Sequence, residues 1–202
     1  ALRLGELGDK KAIEYLLNGI RDENIEVRMA SAQALGKLAD ESLVEKMIET
    51  LKDSNDYLRE QTIQVLSSMG ELAVPPLVRS LKSNNWMLPY CAVRALGLIK
   101  DKRAIKALIE LVEDDSNVYV QKAAIEALEK MGPDGEEELA GGLGHEAGYV
   151  REKIAQIIAK SGSKDCIDRL QEAIDRESDN RTKDRMTECL KKLEVRFNIS
   201  RE

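Results

Sequence analysis

The residue types that most often carry out chemistry are scarce in this chain of 202 residues. Its only histidine, His145, precedes Glu146 just after a glycine cluster, and we interpret it as a surface turn residue. A single imidazole cannot supply the ligand set of a transition-metal site, and no serine or cysteine stands in a recognisable arrangement with a base. The glycine cluster 141–144 lacks the Lys-Ser/Thr pair that a phosphate-binding loop needs. We therefore predict no catalytic residue, no metal site and no cofactor.

The cysteines point to a structural role for sulfur. Cys91 and Cys189 fall on apolar stripes, so we expect them to be small buried side chains. With Cys166 they make an odd number without a CxxC pair, which is a poor disulfide framework. This favours a reducing, cytoplasmic setting. No apolar run approaches the roughly 20 residues that span a bilayer, and no signal peptide is recognisable.

Aromatic residues make up only 3% of the chain, yet they are not scattered evenly. The densest group combines them with Met, Arg and Leu: Trp86, Met87, Tyr90, Arg94 and Leu98. Three further tyrosines each stand one residue before an apolar residue at the start of a predicted helix: Tyr57, Tyr119 and Tyr149. Trp, Tyr, Met and Arg are enriched in interface cores and hot spots. Because so much apolar surface is costly to leave uncovered, these residues predict a binding surface.

The elements that must position these residues are repeats. The stretch Val27–Gly36 recurs five times, with leading positions 27, 58, 88, 120, 150 and 182, about 31 residues apart. In each repeat an apolar stripe at helical spacing precedes the recurring stretch, which indicates two amphipathic helices. We predict one all-α domain over 1–202, a right-handed α-solenoid of six two-helix repeats. The predicted segments are the end of a truncated leading repeat (1–9), the repeats 10–39, 40–70, 71–100, 101–132, 133–162 and 163–194, and a tail (195–202).

Particular residues predict details of these helices. Asp22, Asp53 and Asp114 follow first helices, and we expect their side chains to cap the second helices. Pro75-Pro76 is expected in the first turn of a helix, where the missing N–H costs little. Gly141, Gly142 and Gly144 predict a short first helix in the fifth repeat, stabilised at its start by the acidic run 134–138. Gly36 is expected where neighbouring helices approach closely.

Asp22, five residues and Arg28, followed by Ala-x-Ala-x-Ala-Leu-Gly, resembles the HEAT-like repeats first described in phycobilisome lyases. The resemblance covers nearly the whole chain and implies the solenoid. It also implies a structural ladder between neighbouring repeats, made here by Asp22, Arg28, Asp53 and Arg59. Pro89, Gln121 and Lys183 replace the arginine elsewhere, so we expect the ladder to be broken there. Deoxyhypusine hydroxylases of this repeat type hold two irons with several His-Glu pairs. This chain has one such pair, so the resemblance implies no metal.

The resemblance further implies that the second helices line a concave face, with five positions of each repeat pointing into it. These positions hold Trp86 and four of the five tyrosines. We therefore predict a non-catalytic scaffold that grips a protein or peptide through the concave face. The predicted contact residues are Trp86, Met87, Tyr90, Arg94, Leu98, Tyr57, Tyr119 and Tyr149.

Three other ligands are alternatives to a separate protein or peptide: nucleic acid, a tetrapyrrole and another domain of a longer chain. A row of lysines (Lys37, Lys130, Lys160 and Lys192) could follow a phosphate backbone. However, each lies in the last turn of a helix, where a cation is favoured anyway, and the net charge of −6 disfavours nucleic acid. The alternative function is that of a bilin-lyase-like protein, which would hold a tetrapyrrole in the groove that the concave face forms. Docking of another domain of a longer chain is the third possibility.

Overall fold

The computed structural model describes residues 2–3, 10–113, 117–131 and 135–199, and within these ranges it contains helices and turns but no strand. Twelve α-helices have bounds within these ranges: α1 (Ile13–Gly19), α2 (Ile25–Lys37), α3 (Glu41–Thr50), α4 (Asp56–Ser68), α5 (Val74–Ser80), α6 (Met87–Ile99), α7 (Ile105–Glu113), α8 (Val118–Met131), α9 (Glu136–Gly141), α10 (Gly148–Ser161), α11 (Cys166–Arg176) and α12 (Asn180–Arg196). Short 3-10 turns occupy Lys10–Ala12, Gly70–Ala73, Lys102–Ala104 and Gly142–Gly144. The predicted all-α solenoid of two-helix repeats is confirmed.

Odd-numbered helices are the first helices of the repeats and even-numbered helices are the second. The second helices are longer, with 13 residues in α2 and 17 in α12. Most of their buried residues are aliphatic or small, although Arg59 and Glu152 are buried as well, and no aromatic side chain of the described residues is buried in the core. Cys91 and Cys189 are buried as expected, and so is Cys166. No helix of the described part of the chain has both the length and the apolar character needed to cross a membrane.

The helices form two compact units, residues 1–99 and 100–202. In the first unit, α2 packs against α4 and α4 against α6, while α3 packs against α5. In the second unit, α8 packs against α10 and α10 against α12, while α9 packs against α7 and α11. The division falls at the predicted boundary between the third and fourth repeats. The single domain over 1–202 stays a prediction.

The side-chain caps of α2 and α4 lie two residues later than predicted. Asp22 and Asp53 do accept backbone N–H bonds, at 2.9 Å, but the donors are the amides of Asn24 and Asn55. Those asparagines are the caps: Asn24 accepts from the amide of Glu26, and Asn55 from those of residues 57 and 58. Each of these two turns therefore contains two consecutive Asx hydrogen bonds, one accepted by the aspartate and one by the asparagine. The expectation for Asp114 lies outside the described residues.

The structure also bears on the expected positions of the prolines, the glycines and the tail. Pro75-Pro76 lies in the first turn of α5, and α9 has only six residues before the 3-10 turn over the glycines, as predicted. A Cβ on Gly36 would lie 2.7 Å from the Ser68 Oγ, which confirms a close approach of α2 and α4. The predicted tail begins too early, because α12 continues to Arg196. Three expectations fall partly outside the described residues. They concern the truncated leading repeat (residues 1 and 4–9), the acidic run (residue 134) and the tail (residues 200–202).

Candidate functional site

Four side chains of the predicted aromatic group follow one side of α6 at helical i, i+4 spacing. Trp86 stands immediately before the helix, and its ring lies 6.2 Å from that of Tyr90 with a tilt of 56°. One turn later, the guanidinium carbon of Arg94 lies 5.8 Å from the Tyr90 ring centroid. Leu98 follows after another turn and is 43% exposed. Such tilted aromatic pairs and cation–π contacts each contribute about 1 kcal/mol.

Arg94 is held in place from the neighbouring repeat. Its Nη1 donates to Glu60 Oε2 at 2.7 Å and its Nη2 donates to Glu60 Oε1 at 3.2 Å, so α4 and α6 are joined by a two-pronged ion pair. Burial of the guanidinium lowers its pKa, but the hydrogen bonding to Glu60 and the charge interactions with Glu60, Tyr90 and Cys91 together raise the pKa overall. Both side chains remain about 40% exposed. The cluster therefore has a fixed geometry on an accessible surface.

Tyr57 occupies on α4 the repeat position that Met87 occupies on α6, and Arg28 contacts it from α2. The Arg28 guanidinium lies 5.1 Å from the Tyr57 ring centroid. Its Nη1 also donates to the carbonyl oxygens of Asp22 and Glu23, at 2.9 Å and 2.7 Å. Both gaps between the second helices of the first unit are thus bridged by an arginine.

The predicted ladder residues contact their own turns. Arg59 donates to the Asp53 carbonyl and pairs with Asp56, just as Arg28 donates to carbonyls of its own repeat. The hydrogen bonds and the ion pair described for these two arginines lie within their own repeats, and a ladder between neighbouring repeats stays a prediction. Gln121, where we expected a break, keeps the same kind of bond, because its Nε2 donates to the Val112 carbonyl at 2.9 Å. The shared role is to tie a turn to the second helix.

The side chains that α2, α4 and α6 and the residues just before them present to solvent form one surface, which we call the first-unit face. It carries Ile25, Met29, Tyr57, Trp86, Met87, Tyr90, Arg94 and Leu98. Trp86 and Tyr57 are each 44% exposed on it, whereas Met87 and Tyr90 are half-buried. Ile25 and Met29 on α2 are more exposed still, at 61% and 59%. These two were missing from the predicted contact residues although they occupy the repeat positions that pointed to the others. They could have been found by giving aliphatic residues the same weight as aromatic ones.

The two predicted tyrosines of the second unit lie at the starts of two different helices. Tyr119 at the start of α8 is 63% exposed, and Tyr149 at the start of α10 is 45% exposed. The Lys153 ammonium lies 5.5 Å from the Tyr149 ring centroid.

The most buried ionic cluster of the second unit is centred on Arg151. Its Nε and Nη2 donate to the Glu177 carboxylate at 2.6 Å and 3.0 Å, and its Nη1 donates to the His145 and Glu146 carbonyls. The Glu177 side chain is only 2% exposed. The hydrogen bond from Arg151 lowers the pKa of Glu177 below its usual 4.5, against the opposing effect of burial.

His145 takes the place that aspartate holds in the first two repeats. Its Nδ1 accepts the Ala147 amide N–H at 3.2 Å, and its Nε2 lies 3.6 Å from Glu113 Oε2. The side chain is 20% exposed, so this turn residue is partly covered by its neighbours. The reason is that the imidazole closes the turn, as Asp22 does in the first repeat.

Two clefts of about 960 and 570 Å³ share the residues Gly141, Gly144, His145 and Glu146. Three arginines and four glutamates line the larger cleft, so neither sign of charge predominates. Within the described ranges, no group of three or more His, Cys, Asp and Glu side chains is arranged to hold a metal ion.

Comparison with known proteins supports the repeat assignment. The sequence profile of HEAT repeats matches residues 1–67, 44–129 and 105–191. A search of curated protein sequences finds no match.

Several solved structures are similar in repeat type. The complex of CpcE and CpcF of phycocyanin lyase from Nostoc sp. PCC7120 is 20% identical with a TM-score of 0.48, and the match covers 74% of this chain and 99% of that one. Human deoxyhypusine hydroxylase in complex with glycerol is 19% identical with a TM-score of 0.46, covering 95% and 77%. Computationally designed armadillo repeat proteins for modular peptide recognition are 14% identical with a TM-score of 0.42, covering 89% and 99%. At these values none of them indicates a function.

The helical hairpins, the recurring turn with its tying arginine or glutamine, and the three overlapping profile matches lead to one assignment. The chain belongs to the HEAT repeat family.

Proposed function

We propose that the chain is a non-catalytic binding module, and that the first-unit face holds a segment of another protein or a peptide. Trp86, Met87, Tyr90, Arg94 and Leu98 form the centre of the contact, with Tyr57 beside them. Tyr119 and Tyr149 give the second unit contact residues of its own. A domain elsewhere in a longer chain would be bound by the same chemistry. The three free, buried thiols are consistent with a reducing compartment such as the cytoplasm.

The observation that carries this proposal is the pre-ordered cluster on α6. Trp86, Tyr90 and Arg94 touch one another in sequence, and the ion pair with Glu60 fixes the last of them. Side chains that are ordered before binding lose less conformational entropy when a partner arrives. Large aromatic side chains that are half exposed and surrounded by apolar neighbours are also the type that dominates binding energy. A cluster needed only for folding would gain more stability from burial.

A random octapeptide library displayed on phage tests the proposal without knowledge of the natural partner. We expect peptides to be enriched on the wild-type protein and to bind with micromolar affinity when synthesised. The double variant W86A/Y90A should weaken their binding at least about 30-fold, which corresponds to about 2 kcal/mol. The control is Y15A, because Tyr15 is 76% exposed on the first helix α1 and is not on the first-unit face.

The proposal is contradicted if no peptide is enriched, or if Y15A weakens binding as much as W86A/Y90A does. Circular dichroism of each variant checks that helicity is retained. Haemin and biliverdin test the alternative of a tetrapyrrole on this face. A visible absorbance shift that W86A/Y90A abolishes, without peptide enrichment, would replace the peptide by a tetrapyrrole as ligand.

Nucleic acid remains a poor candidate ligand. Lys160 of the predicted lysine row lies 2.5 Å from Glu129, so part of its charge is already matched within the protein. The exposed lysines of that row would each contribute only a local attraction to phosphate on a chain with net charge −6.

A further inference from the structure

We infer that the segment bound by the first-unit face is an extended, basic peptide in which lysine or arginine side chains flank an apolar anchor. This inference rests on the proposed function and specifies the chemistry of its partner. It follows from the distribution of charge between exposed and buried groups around the starts of α2 and α4, and from the spacing of the helices.

The carboxylates at the edge of the first-unit face are exposed. Five of them belong to the turns and first residues of α2 and α4, and all are exposed: Asp22, Glu23, Glu26, Asp53 and Asp56. Glu60, further along α4, is half-buried in its pair with Arg94.

The arginines near these carboxylates are largely withdrawn from solvent. Arg59 is 8% exposed, bonds to the Asp53 carbonyl and pairs with Asp56. Arg28 is half-buried between backbone carbonyls and the Tyr57 ring. Two exposed cations flank the edge, Arg21 beside Asp22 and Lys52 beside Asp53, and Lys52 is paired with Glu49. Exposed carboxylates therefore outnumber exposed cations at this edge, although the sequence alternates both signs.

Apolar groups lie directly beside this acidic edge. Ile25, Met29, Tyr57 and Trp86 are all more than two-fifths exposed. A shallow cleft of about 310 Å³ borders Tyr57 and is also lined by Asp53, Asn55, Leu58 and Arg21. A carboxylate next to an aromatic ring suits a lysine or arginine side chain, whose charged end pairs with the carboxylate while its stem or guanidinium packs on the ring.

Helix spacing determines how long the peptide must be. Packed helices lie about 10 Å apart, so α2, α4 and α6 span about 20 Å from the first axis to the last. An extended chain rises about 3.3 Å per residue, so about six residues cross all three helices. One anchor side chain near Trp86 and basic side chains near α4 and α2 fit within that length.

The test uses the octapeptides enriched from the random library and one charge-neutralised variant. Enriched peptides should contain more Lys and Arg, and fewer Asp and Glu, than the starting library. The triple variant E26Q/D53N/D56N should lower their affinity about ten-fold at low salt, and less at 0.5 M salt because screening weakens exposed pairs. The matched control E14Q/E41Q/E45Q removes three charges from the first helices α1 and α3 of the same unit and should change affinity less than two-fold.

The outcomes separate this inference from the proposed function. If W86A/Y90A abolishes binding while the enriched peptides are neutral or acidic, or while both triple variants bind alike, the face binds peptides but the basic partner is wrong. If a dimer forms that W86A/Y90A dissociates in sedimentation experiments, the occupant is a second copy and the inference is overturned. Loss of all peptide enrichment contradicts the proposed function itself.

Discussion

Each unit of the molecule contains an arginine that forms a two-pronged ion pair with a glutamate of a neighbouring repeat. In the first unit, Arg94 pairs with Glu60 and both side chains are about 40% exposed. In the second unit, Arg151 pairs with Glu177 and the two side chains are 18% and 2% exposed. The chemistry of the two pairs is the same, and their distances are similar. Their surroundings differ, and this difference assigns them different roles.

Burial decides what an ion pair can contribute. A buried carboxylate that loses its partner is left without solvation, so its removal from the pair is strongly destabilising. An exposed pair exchanges its partner for water at little cost. Arg151 also donates to two backbone carbonyls, so it organises the turn that starts α10. Arg94 instead touches an exposed aromatic ring, which leaves it available to a ligand.

The largest effect is expected from R151M. This substitution keeps much of the aliphatic stem but leaves the buried Glu177 carboxylate without its cation and two carbonyls without their donor. We expect the free energy of unfolding to fall by about 3 kcal/mol. Urea denaturation followed by circular dichroism measures it. A loss below 1 kcal/mol would show that the buried pair is no more stabilising than an exposed one.

The pH dependence of stability should also distinguish the two pairs. Because the folded-state pKa of Glu177 is lowered from 4.5, its contribution is fully present above that pH and is lost as the pH falls through the lower folded-state value. We expect E177Q to cost about 2 kcal/mol at pH 7 and to reduce the loss of stability below about pH 4.5.

The comparison for this experiment is E60Q, which should cost less stability at pH 7 than E177Q because the pair of Glu60 with Arg94 is exposed. Asp101 and Asp179 also have lowered pKa values, the first because of its hydrogen bond from Arg103 and the second because of bonds from Thr182. Some acid sensitivity therefore remains in E177Q. An E177Q profile parallel to that of the wild type would contradict the prediction.

Helix caps offer a smaller test that compares the units. Ala147 precedes α10 with φ −76° and ψ 121°, nearly the −78° and 122° of the capping Asn24, but it makes no side-chain cap bond. We expect A147N to stabilise the protein by about 1 kcal/mol and to raise the melting temperature by about 3 °C. N55A in the first unit should cost about the same amount. Thermal unfolding measures both, and an unchanged A147N would indicate that the imidazole of His145 already provides the cap's contribution.

The smallest effect on stability is expected from R94M. Because the pair with Glu60 is exposed, we expect a loss of less than about 1 kcal/mol in urea denaturation. The same variant should weaken binding of the enriched octapeptides about five-fold, because Tyr90 loses the cation on its ring. If R94M destabilised the protein as much as R151M does, the first-unit face would be a structural cluster and the contrast between the pairs would be lost.

Much of the fold could be predicted because it depends on local, repeated patterns. Helical spacing of apolar residues and a period near 31 residues predicted the hairpins, and Pro75-Pro76 and the glycines 141–144 predicted where helices start and shorten. The cap residue was misplaced because Asp22 and Asn24 are both good acceptors. Only the backbone geometry shows that the first closes the turn and the second caps the helix.

For the candidate site, the sequence predicted residue types and repeat positions. It could not predict that Arg28 tilts over Tyr57, that Glu60 reaches Arg94, or that Ile25 and Met29 are the most exposed apolar side chains of the face. These facts depend on contacts between residues about 30 positions apart. The same limit applies to His145, because the partial cover of its imidazole depends on Glu113, 32 positions earlier in the chain.

By itself, then, the sequence determined the all-α repeat architecture, the aliphatic core and the repeat positions of the aromatic residues, because each follows from periodicity along the chain. Tertiary structure decided which charges are buried and which are exposed. That decision separates Arg151, a buried support of a turn, from Arg94, part of an accessible cluster. The physical reason is that the free energy of an ion pair depends on its solvation, which only the packing of neighbouring repeats determines.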